Sequence, residues 1–349
     1  QTCSSMGVFD ESIISHELAH QWFGDKITCK DWQNIWLNEG FATYCTGLYY
    51  EAAYGIDYYN SYMDSQMNFA KTATGSIYVQ NITDINEIFS SPRSYSKGSA
   101  VLHMLRGIVG DTLFFRILKS YIADPALAYN VAATEDFQRV AETVSGSDLG
   151  YFFQEWIYGE NYPQYGLTWN YNLVSGNTYN VTLNLSQQGN TNPLFFTMPV
   201  KIKISTTVKD TLFTIFNNLQ NQQFSFTVLG KPLDLIFDAG NYIMKNLNIV
   251  DIPAALKPKS FQLLQNYPNP FNPSTKIQFS IPTRSMVNIK VYDELGGEVA
   301  QLMNEVKTAG TYTVEFSSVR GNKTLPSGVY IYKIIAGDYS DAKKMMLVK

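Results

Sequence analysis

Two of the three histidines in this 349-residue chain stand four residues apart around a glutamate, in the run His16-Glu17-Leu18-Ala19-His20. On a helix this spacing places both imidazoles on one face, one turn apart, with the Glu17 carboxylate turned toward the same opening. Such a pattern binds zinc and uses the glutamate as a general base. Glu39, in the run Trp36-Leu37-Asn38-Glu39-Gly40-Phe41-Ala42, supplies a third ligand. Three protein ligands leave one tetrahedral position open, which is typical of a catalytic zinc site.

Two helices are predicted to position these ligands. The segment from Ile13 to Phe23 carries an apolar stripe at helical spacing, with Asp10 or Ser12 as N-cap and Gly24 as its end. The stretch from about Ile35 to Tyr54 predicts a second helix, because apolar residues recur there every three or four positions. The alternative is a surface helix with two histidines and a solvated acid, which the presence of Glu39 and the scarcity of histidine disfavour.

The predicted chemistry of this site is peptide hydrolysis. One zinc ion per chain, held by two neutral imidazoles and a carboxylate, keeps a net positive charge, lowers the pKa of bound water and polarises a substrate carbonyl. We expect the zinc-bound water to attack while Glu17 takes its proton and passes it to the leaving amine. Asn38 and Asp25 are candidates for orienting the imidazoles.

These two motifs, together with Tyr95-Ser96-Lys97-Gly98, resemble those of the zinc aminopeptidases that include aminopeptidase N and the leukotriene hydrolases, a branch of the gluzincins. The resemblance covers about residues 1–165. It implies a mainly α-helical, thermolysin-like catalytic part and removal of N-terminal residues from peptide substrates. It also implies that Tyr95 donates a hydrogen bond to the tetrahedral intermediate.

One expected motif of that family is missing. Family members bind the free α-amine of the substrate through a glutamate in a Gly-x-Met-Glu-Asn type strand before the zinc helix, and no such run occurs here. We expect it upstream of Gln1, together with the sheet that forms the other wall of the cleft. Two alternatives therefore stay open: a zinc endopeptidase of the same clan, and a non-catalytic, surface-attached binding protein.

Composition limits the partners and the compartment. The net charge of −4 and the pI of about 5.5 exclude a basic patch for nucleic acid. No apolar run approaches the length of a membrane span. A charged fraction of only 16% suits a secreted protein. The three cysteines, Cys3, Cys29 and Cys45, allow core packing or at most one disulfide.

The predicted fold is multidomain, with a helical zinc-peptidase part followed by two small antiparallel β-sandwiches. Residues 1–163 read as helical; within them His103 is predicted to be a hydrogen-bonded interior residue, and Lys97 and Arg106 to be solvated. Residues 164–250 change to a period of two, which predicts a β-sandwich. Residues 251–262 form a proline-containing linker, and residues 263–349 form the second sandwich.

The last domain resembles the C-terminal sorting domain of the type IX secretion system. The resemblance rests on Tyr267-Pro268-Asn269-Pro270-Phe271, on Ser327-Gly328-Val329-Tyr330 and on the lysine-containing end Lys343 to Lys349. It implies recognition by the type IX machinery, export across a bacterial outer membrane to the medium or the cell surface, and removal of the region after about residue 257. An immunoglobulin-like spacer or a sugar-binding adhesive module is the alternative.

Overall fold

The computed structural model describes residues 10–251, 258, 260–283, 285–307, 310–320 and 323–349. The chain divides into two compact units, Gln1–Asn248 and Ile249–Lys349. The first unit contains a helical part and a β-sandwich, and the second is built from strands. The described chain thus combines helices with several sheets, and the mainly helical character is confined to residues 11–156.

The helical part contains short and long helices joined by tight turns. In chain order its elements are α1 (Glu11–Ala19), β1 (Ile27–Cys29), a 3-10 turn (Trp32–Asn34), α2 (Trp36–Tyr54), α3 (Ile56–Ala70), α4 (Ile85–Ile88), a π-helical segment (Ser91–Lys97), α5 (Gly98–Val109), α6 (Asp111–Ala123), β2 (Asn130–Ala132), α7 (Thr134–Ser145) and α8 (Gly150–Trp156). The short strands β1 and β2 pair in parallel.

Helix α1 is shorter than the predicted span of Ile13 to Phe23. Asp10 caps it as expected, since its Oδ1 accepts a hydrogen bond from the Ser12 backbone N–H at 2.9 Å. The helix ends at Ala19 because the chain then folds back on itself through a turn that reaches Gly24 at a φ of 151°. Most of the predicted apolar stripe is exposed to solvent, and Phe23 is its buried member.

Helix α2 was predicted correctly from about Ile35 to Tyr54, and its buried face forms the centre of the helical core. The Phe41 ring packs against Trp36 and Phe137 with ring centroids 5.6 and 4.9 Å apart. Trp36 also donates its indole N–H to Thr134 Oγ1 at 2.9 Å. These contacts tie the start of α2, which carries Glu39 in its first turn, to α7.

Two predictions of solvent exposure are wrong, and one prediction of burial is confirmed. Lys97 is 2% exposed and Arg106 is 4% exposed. Arg106 can be buried because its guanidinium pairs with both Glu51 and Asp111. His103 is buried as predicted.

The first β-sandwich follows directly after the helices. Its strands are β3 (Gln164–Ser175), β4 (Thr178–Gln187), β5 (Met198–Thr206), β6 (Asp210–Asn217), β7 (Asn221–Leu229), β8 (Pro232–Phe237) and β9 (Asn246–Asp251). They form one sheet in the order β7-β4-β3-β9 and another in the order β6-β5-β8. Apolar residues alternate with polar ones in β4 and β5, which predicts a strand at each place. These apolar residues are all buried, namely Val181, Leu183, Leu185, Val200, Ile202 and Ile204.

The second unit contains the strands β10 (Gln262–Leu263), β11 (Ser274–Ile281), β12 (Ser285–Tyr292), β13 (Glu298–Lys307), β14 (Gly310–Ser317), β15 (Val319–Arg320), β16 (Lys323–Thr324), β17 (Gly328–Ala336) and β18 (Tyr339–Leu347). The sheets β10-β11-β14 and β13-β12-β17-β18 carry one apolar cluster. Val287, Ile289 and Val291 alternate with polar residues, which predicts a strand with one buried face, and all three are fully buried in this cluster.

Cysteines and linker complete the comparison with the sequence. Cys29 is buried and Cys45 is half-buried, and both are free thiols. Burial raises the pKa of Cys29 to about 11, so it packs as a neutral core residue. Cys3 lies outside the described residues, as do residues 252–257 and 259 of the predicted linker. Within the described part of the chain, the helices are too short or too polar to cross a membrane.

Candidate metal centre

The three predicted zinc ligands converge at one point between α1 and α2. Glu39 Oε2 lies 3.2 Å from His16 Nε2 and 3.3 Å from His20 Nε2. The ligand atoms of the three side chains all lie within 4.8 Å of one another. Although β1 and a 3-10 turn separate His20 from Glu39 in the chain, the three side chains present two nitrogens and one oxygen to the same point.

These distances fit a zinc ion. Tetrahedral bonds of about 2.0–2.2 Å hold neighbouring donor atoms roughly 3.3–3.6 Å apart. The ring orientation supports the same conclusion, because His20 Nδ1 donates to the Phe23 carbonyl oxygen at 3.0 Å. In neutral His20 the Nε2 lone pair therefore faces the carboxylate oxygen of Glu39. Two acceptors at that separation require a proton or a cation between them.

The pKa shifts of Glu39 and His20 also favour a positive charge between these side chains. Burial opposes ionisation of Glu39, but hydrogen bonds from His16 and His20 outweigh it and lower the Glu39 pKa to about 2. Burial opposes protonation of His20, but hydrogen bonds to Glu39 and to the Phe23 carbonyl outweigh it and raise the His20 pKa. The carboxylate is thus ionised at neutral pH, as a metal ligand must be.

A close approach between two glycines brings Tyr95 to the ligands. An added Cβ on Gly40, next to Glu39, would lie 2.9 Å from Gly98 Cα. Only residues without a side chain allow α2 and α5 to approach so closely. Gly98 begins α5, directly after the π-helical segment that carries Tyr95. The Tyr95 ring stacks on His16 with centroids 5.9 Å apart.

Glu17 and Tyr95 share one cavity with the ligands. The cavity has a volume of about 630 Å³. It is lined by residues of α1, α2, α3 and the π-helical segment, namely Ser12, Ile13, His16, Glu17, His20, Glu39, Thr43, Thr46, Tyr62, Gln66, Phe69, Ser91, Tyr95 and Ser96. Burial and the nearby Glu39 carboxylate raise the pKa of Tyr95, so its hydroxyl keeps the proton that a hydrogen-bond donor needs. All five predicted site residues therefore meet in one place.

Two family models match parts of the chain. Residues 4–156 match the Peptidase family M1 domain, and residues 265–349 match the Secretion system C-terminal sorting domain. The chain carries a peptidase family M1 domain and a type IX secretion sorting domain. Such a sorting domain implies secretion or export to the cell surface.

Curated relatives of the M1 domain are named aminopeptidases. Aminopeptidase M1-C of Oryza sativa subsp. japonica is 33% identical over 46% of this chain and 19% of its own length. Aminopeptidase N of Lactococcus lactis subsp. lactis is 32% identical over 50% of this chain and 20% of its own length. The chain thus spans about a fifth of the length of these relatives.

The fold also has a neighbour among solved structures. The crystal structure of Legionella pneumophila aminopeptidase A in complex with aspartic acid aligns with a TM-score of 0.57 over 69% of this chain and 27% of that chain. Sequence identity is 18%, so the likeness concerns the fold alone. An aminopeptidase-like fold with added strands agrees with the coarse prediction of a multidomain chain.

The group that orients His20 was not predicted from the sequence. The candidates Asn38 and Asp25 do not do so. Asn38 Oδ1 accepts the backbone N–H of Cys29 at 3.0 Å and so ties β1 to α2, and Asp25 is exposed. The orienting group is the Phe23 carbonyl. A backbone carbonyl leaves no mark in the residue types, so only the early end of α1 could have indicated it.

Proposed function

We propose that this chain is part of a secreted zinc aminopeptidase. The observation that carries the proposal is a set of three donor atoms within 4.8 Å of one another, on residues that line the same cavity as Glu17 and Tyr95. The ligands would be His16, His20 and Glu39, with one zinc ion per chain. A metal bound there would act as a Lewis acid and lower the pKa of water.

The residues of this chain would then divide the proton transfers. Glu17 stands one position after His16 on α1 and lines the same cavity, so it can accept a proton from the attacking water. The protonated carboxyl would return that proton to the leaving amine. The Tyr95 hydroxyl would donate a hydrogen bond to the carbonyl oxygen, which becomes negative when water attacks. That hydrogen bond would be stronger in the transition state than in the ground state.

The names of the relatives support the exopeptidase part of the proposal. An aminopeptidase needs a free substrate α-amine, whereas an endopeptidase does not. The two readings predict opposite responses to N-acetylation of the same peptide, since acetylation removes the positive charge and leaves the scissile bond unchanged.

The experiment compares wild-type protein with Glu17→Gln on free and N-acetylated peptides. The full-length wild-type protein should hydrolyse the free peptides alone, and its Glu17→Gln variant should lose turnover while it keeps wild-type zinc content. Glu87→Gln, on the half-buried acid of α4 outside the cavity, is the matched control and should stay active. Turnover retained in Glu17→Gln would overturn the assigned base, and equal cleavage of acetylated peptides would replace the aminopeptidase by an endopeptidase.

The sorting domain supports a proposal for export by the type IX machinery across a bacterial outer membrane. The domain division proposed from the sequence places the linker at residues 251–262. Mass spectrometry of protein secreted by its native host should show loss of the chain after about residue 257. A secreted product that still ends at Lys349 would contradict the proposed processing.

A further inference from the structure

The cavity extends away from the ligands along one face of α3. Tyr62, Gln66 and Phe69 stand three or four residues apart on this helix, and all three line the cavity. We propose that they form a pocket that selects substrates with a large, uncharged side chain beside the scissile bond. The inference rests on the proposed function and adds a substrate class to it.

The wall of this pocket is held in place by hydrogen bonds. The Tyr62 hydroxyl donates to the Thr43 carbonyl at 3.0 Å, and Thr43 Oγ1 donates to the Glu39 carbonyl at 2.7 Å. The ring of Tyr62 is therefore fixed relative to the turn of α2 that carries the Glu39 ligand. A fixed aromatic face next to the reacting centre can bind the side chain that flanks the scissile bond.

The same face of α3 offers a polar group without charge. Ser96 Oγ donates to Gln66 Oε1 at 2.6 Å, which ties α3 to the segment that carries Tyr95. This bond leaves the NH2 group of the Gln66 amide as a donor. Phe69 is 48% exposed, although it lines the cavity, so its ring has apolar surface that a substrate side chain can cover.

The charge of the lining decides the substrate class. The charged side chains among the described lining residues are the two carboxylates Glu17 and Glu39, both at the metal end. The lining along α3 contains neither a cation for an acidic side chain nor a further acid for a basic one. A charged substrate side chain would lose its hydration there without gaining a partner, whereas phenylalanine, leucine or methionine would not.

The test measures binding of amino-acid hydroxamates to the zinc-loaded chain by calorimetry, which needs no turnover. Phenylalanine and leucine hydroxamates should bind at least about tenfold more tightly than the lysine and aspartate hydroxamates, a difference of roughly 1.4 kcal/mol. Phe69→Ala should weaken the phenylalanine compound roughly five- to tenfold and leave alanine hydroxamate nearly unchanged. Tyr58→Ala, equally exposed on α3 at 48% but outside the cavity, should change neither.

A charge-introducing variant makes the test sharper. Gln66→Glu keeps an acceptor for Ser96 Oγ. It should raise the affinity for lysine hydroxamate, relative to that for phenylalanine hydroxamate, by about three- to tenfold. Asn68→Asp adds the same charge on α3 outside the cavity and should have no such effect.

The outcomes separate this proposal from the proposed function. Similar affinities for all hydroxamates, or absence of binding by a zinc-loaded chain, would overturn the pocket. A selective order that shifts with Phe69→Ala and Gln66→Glu supports it. If that order is found in protein that hydrolyses no peptide, the pocket stands and the enzymatic proposal fails.

Discussion

The orientation of His20 among the three candidate ligand residues depends on one hydrogen bond that the residue types do not reveal. His20 presents Nε2 to Glu39 because its Nδ1 donates a hydrogen bond to the Phe23 carbonyl. That carbonyl is in reach because α1 ends at Ala19 and the chain turns back before Gly24. The types and spacing of the residues thus sufficed to predict that His16, His20 and Glu39 converge, but not which nitrogen of His20 faces Glu39.

Tyr95 gives the first prediction at this scale. Replacement by Phe keeps the ring that stacks on His16 and removes the hydroxyl alone. Loss of one donor to a developing oxyanion lowers kcat by roughly 10²–10³-fold. We expect that loss in steady-state kinetics with unchanged zinc content.

Tyr78→Phe is the control for Tyr95→Phe, since Tyr78 lies outside the cavity. It should keep wild-type kcat. A Tyr95→Phe protein with wild-type kcat would remove Tyr95 from the mechanism and leave it as a packing residue.

At the scale of elements, packing decides where a functional residue lies. The residue pattern from Tyr95 to Val109 predicts one regular helix. In the structure, a π-helical segment, Ser91–Lys97, precedes α5. Hydrophobic periodicity does not distinguish a π turn from an α turn, since the difference arises when α5 packs against α2 at Gly40 and Gly98. The place of Tyr95 therefore follows from a tertiary contact.

Helix α3 shows the opposite case, in which a readable signal was present. Tyr59, Met63, Met67 and Ala70 are buried at spacings of four, four and three, which is a helical pattern. This helix was predicted only as part of the helical region 1–163, without bounds of its own, because the polar and tyrosine-rich remainder of residues 56–70 obscures that stripe. The pocket along α3 was missed for the same reason.

The glycine contact leads to a prediction for Gly98→Ala. The added methyl group would lie 2.9 Å from Gly40 Cα, so α2 and α5 must move apart. We expect a loss of about 1–3 kcal/mol in the free energy of unfolding, measured with urea. Turnover should fall too, because the movement separates Tyr95 from Glu39.

The control for Gly98→Ala is Gly150→Ala in the first position of α8. There the added carbon meets a side-chain oxygen of Asp148 at 3.2 Å rather than backbone. Its stability and turnover should stay near those of wild type. Equal effects of the two substitutions would show that the glycine contact is unimportant.

At the scale of the whole molecule, His103 links the helices to the first sandwich within unit Gln1–Asn248. Its Nδ1 accepts a hydrogen bond from the Tyr59 hydroxyl at 2.7 Å, and its Nε2 donates one to the Asn241 carbonyl at 3.3 Å. Both bonds use the neutral ring. Burial, opposed by the bond to Asn241, lowers the His103 pKa to about 4.

This shift predicts a pH dependence of stability. Between pH 6.5 and about 4, His103 is protonated in the unfolded chain but stays neutral in the folded chain. Stability from this residue is therefore complete above pH 6.5 and is lost as pH falls toward 4. Urea unfolding across this range should show roughly 1–3 kcal/mol less pH-dependent loss in His103→Gln than in wild type. Parallel pH profiles for the two proteins would contradict a neutral buried His103.

The strands illustrate how far the sequence carries at this scale. Alternation predicted β4, β5, β12 and β14, because each buries one face. The edge strand β9 was missed, since polar and apolar residues alternate there only over the four positions 246–249. A sheet edge is defined by the neighbour it pairs with rather than by its own pattern.

The central claim is that His16, His20 and Glu39 bind one zinc ion. The most direct measurement is the zinc content of purified protein by elemental analysis, before and after dialysis against a weak chelator, for wild type and Glu39→Ala. Wild type should retain one zinc per chain, and Glu39→Ala should lose it while circular dichroism shows an unchanged fold. Wild-type protein that binds no zinc, or a Glu39→Ala protein that holds it equally well, would contradict the account.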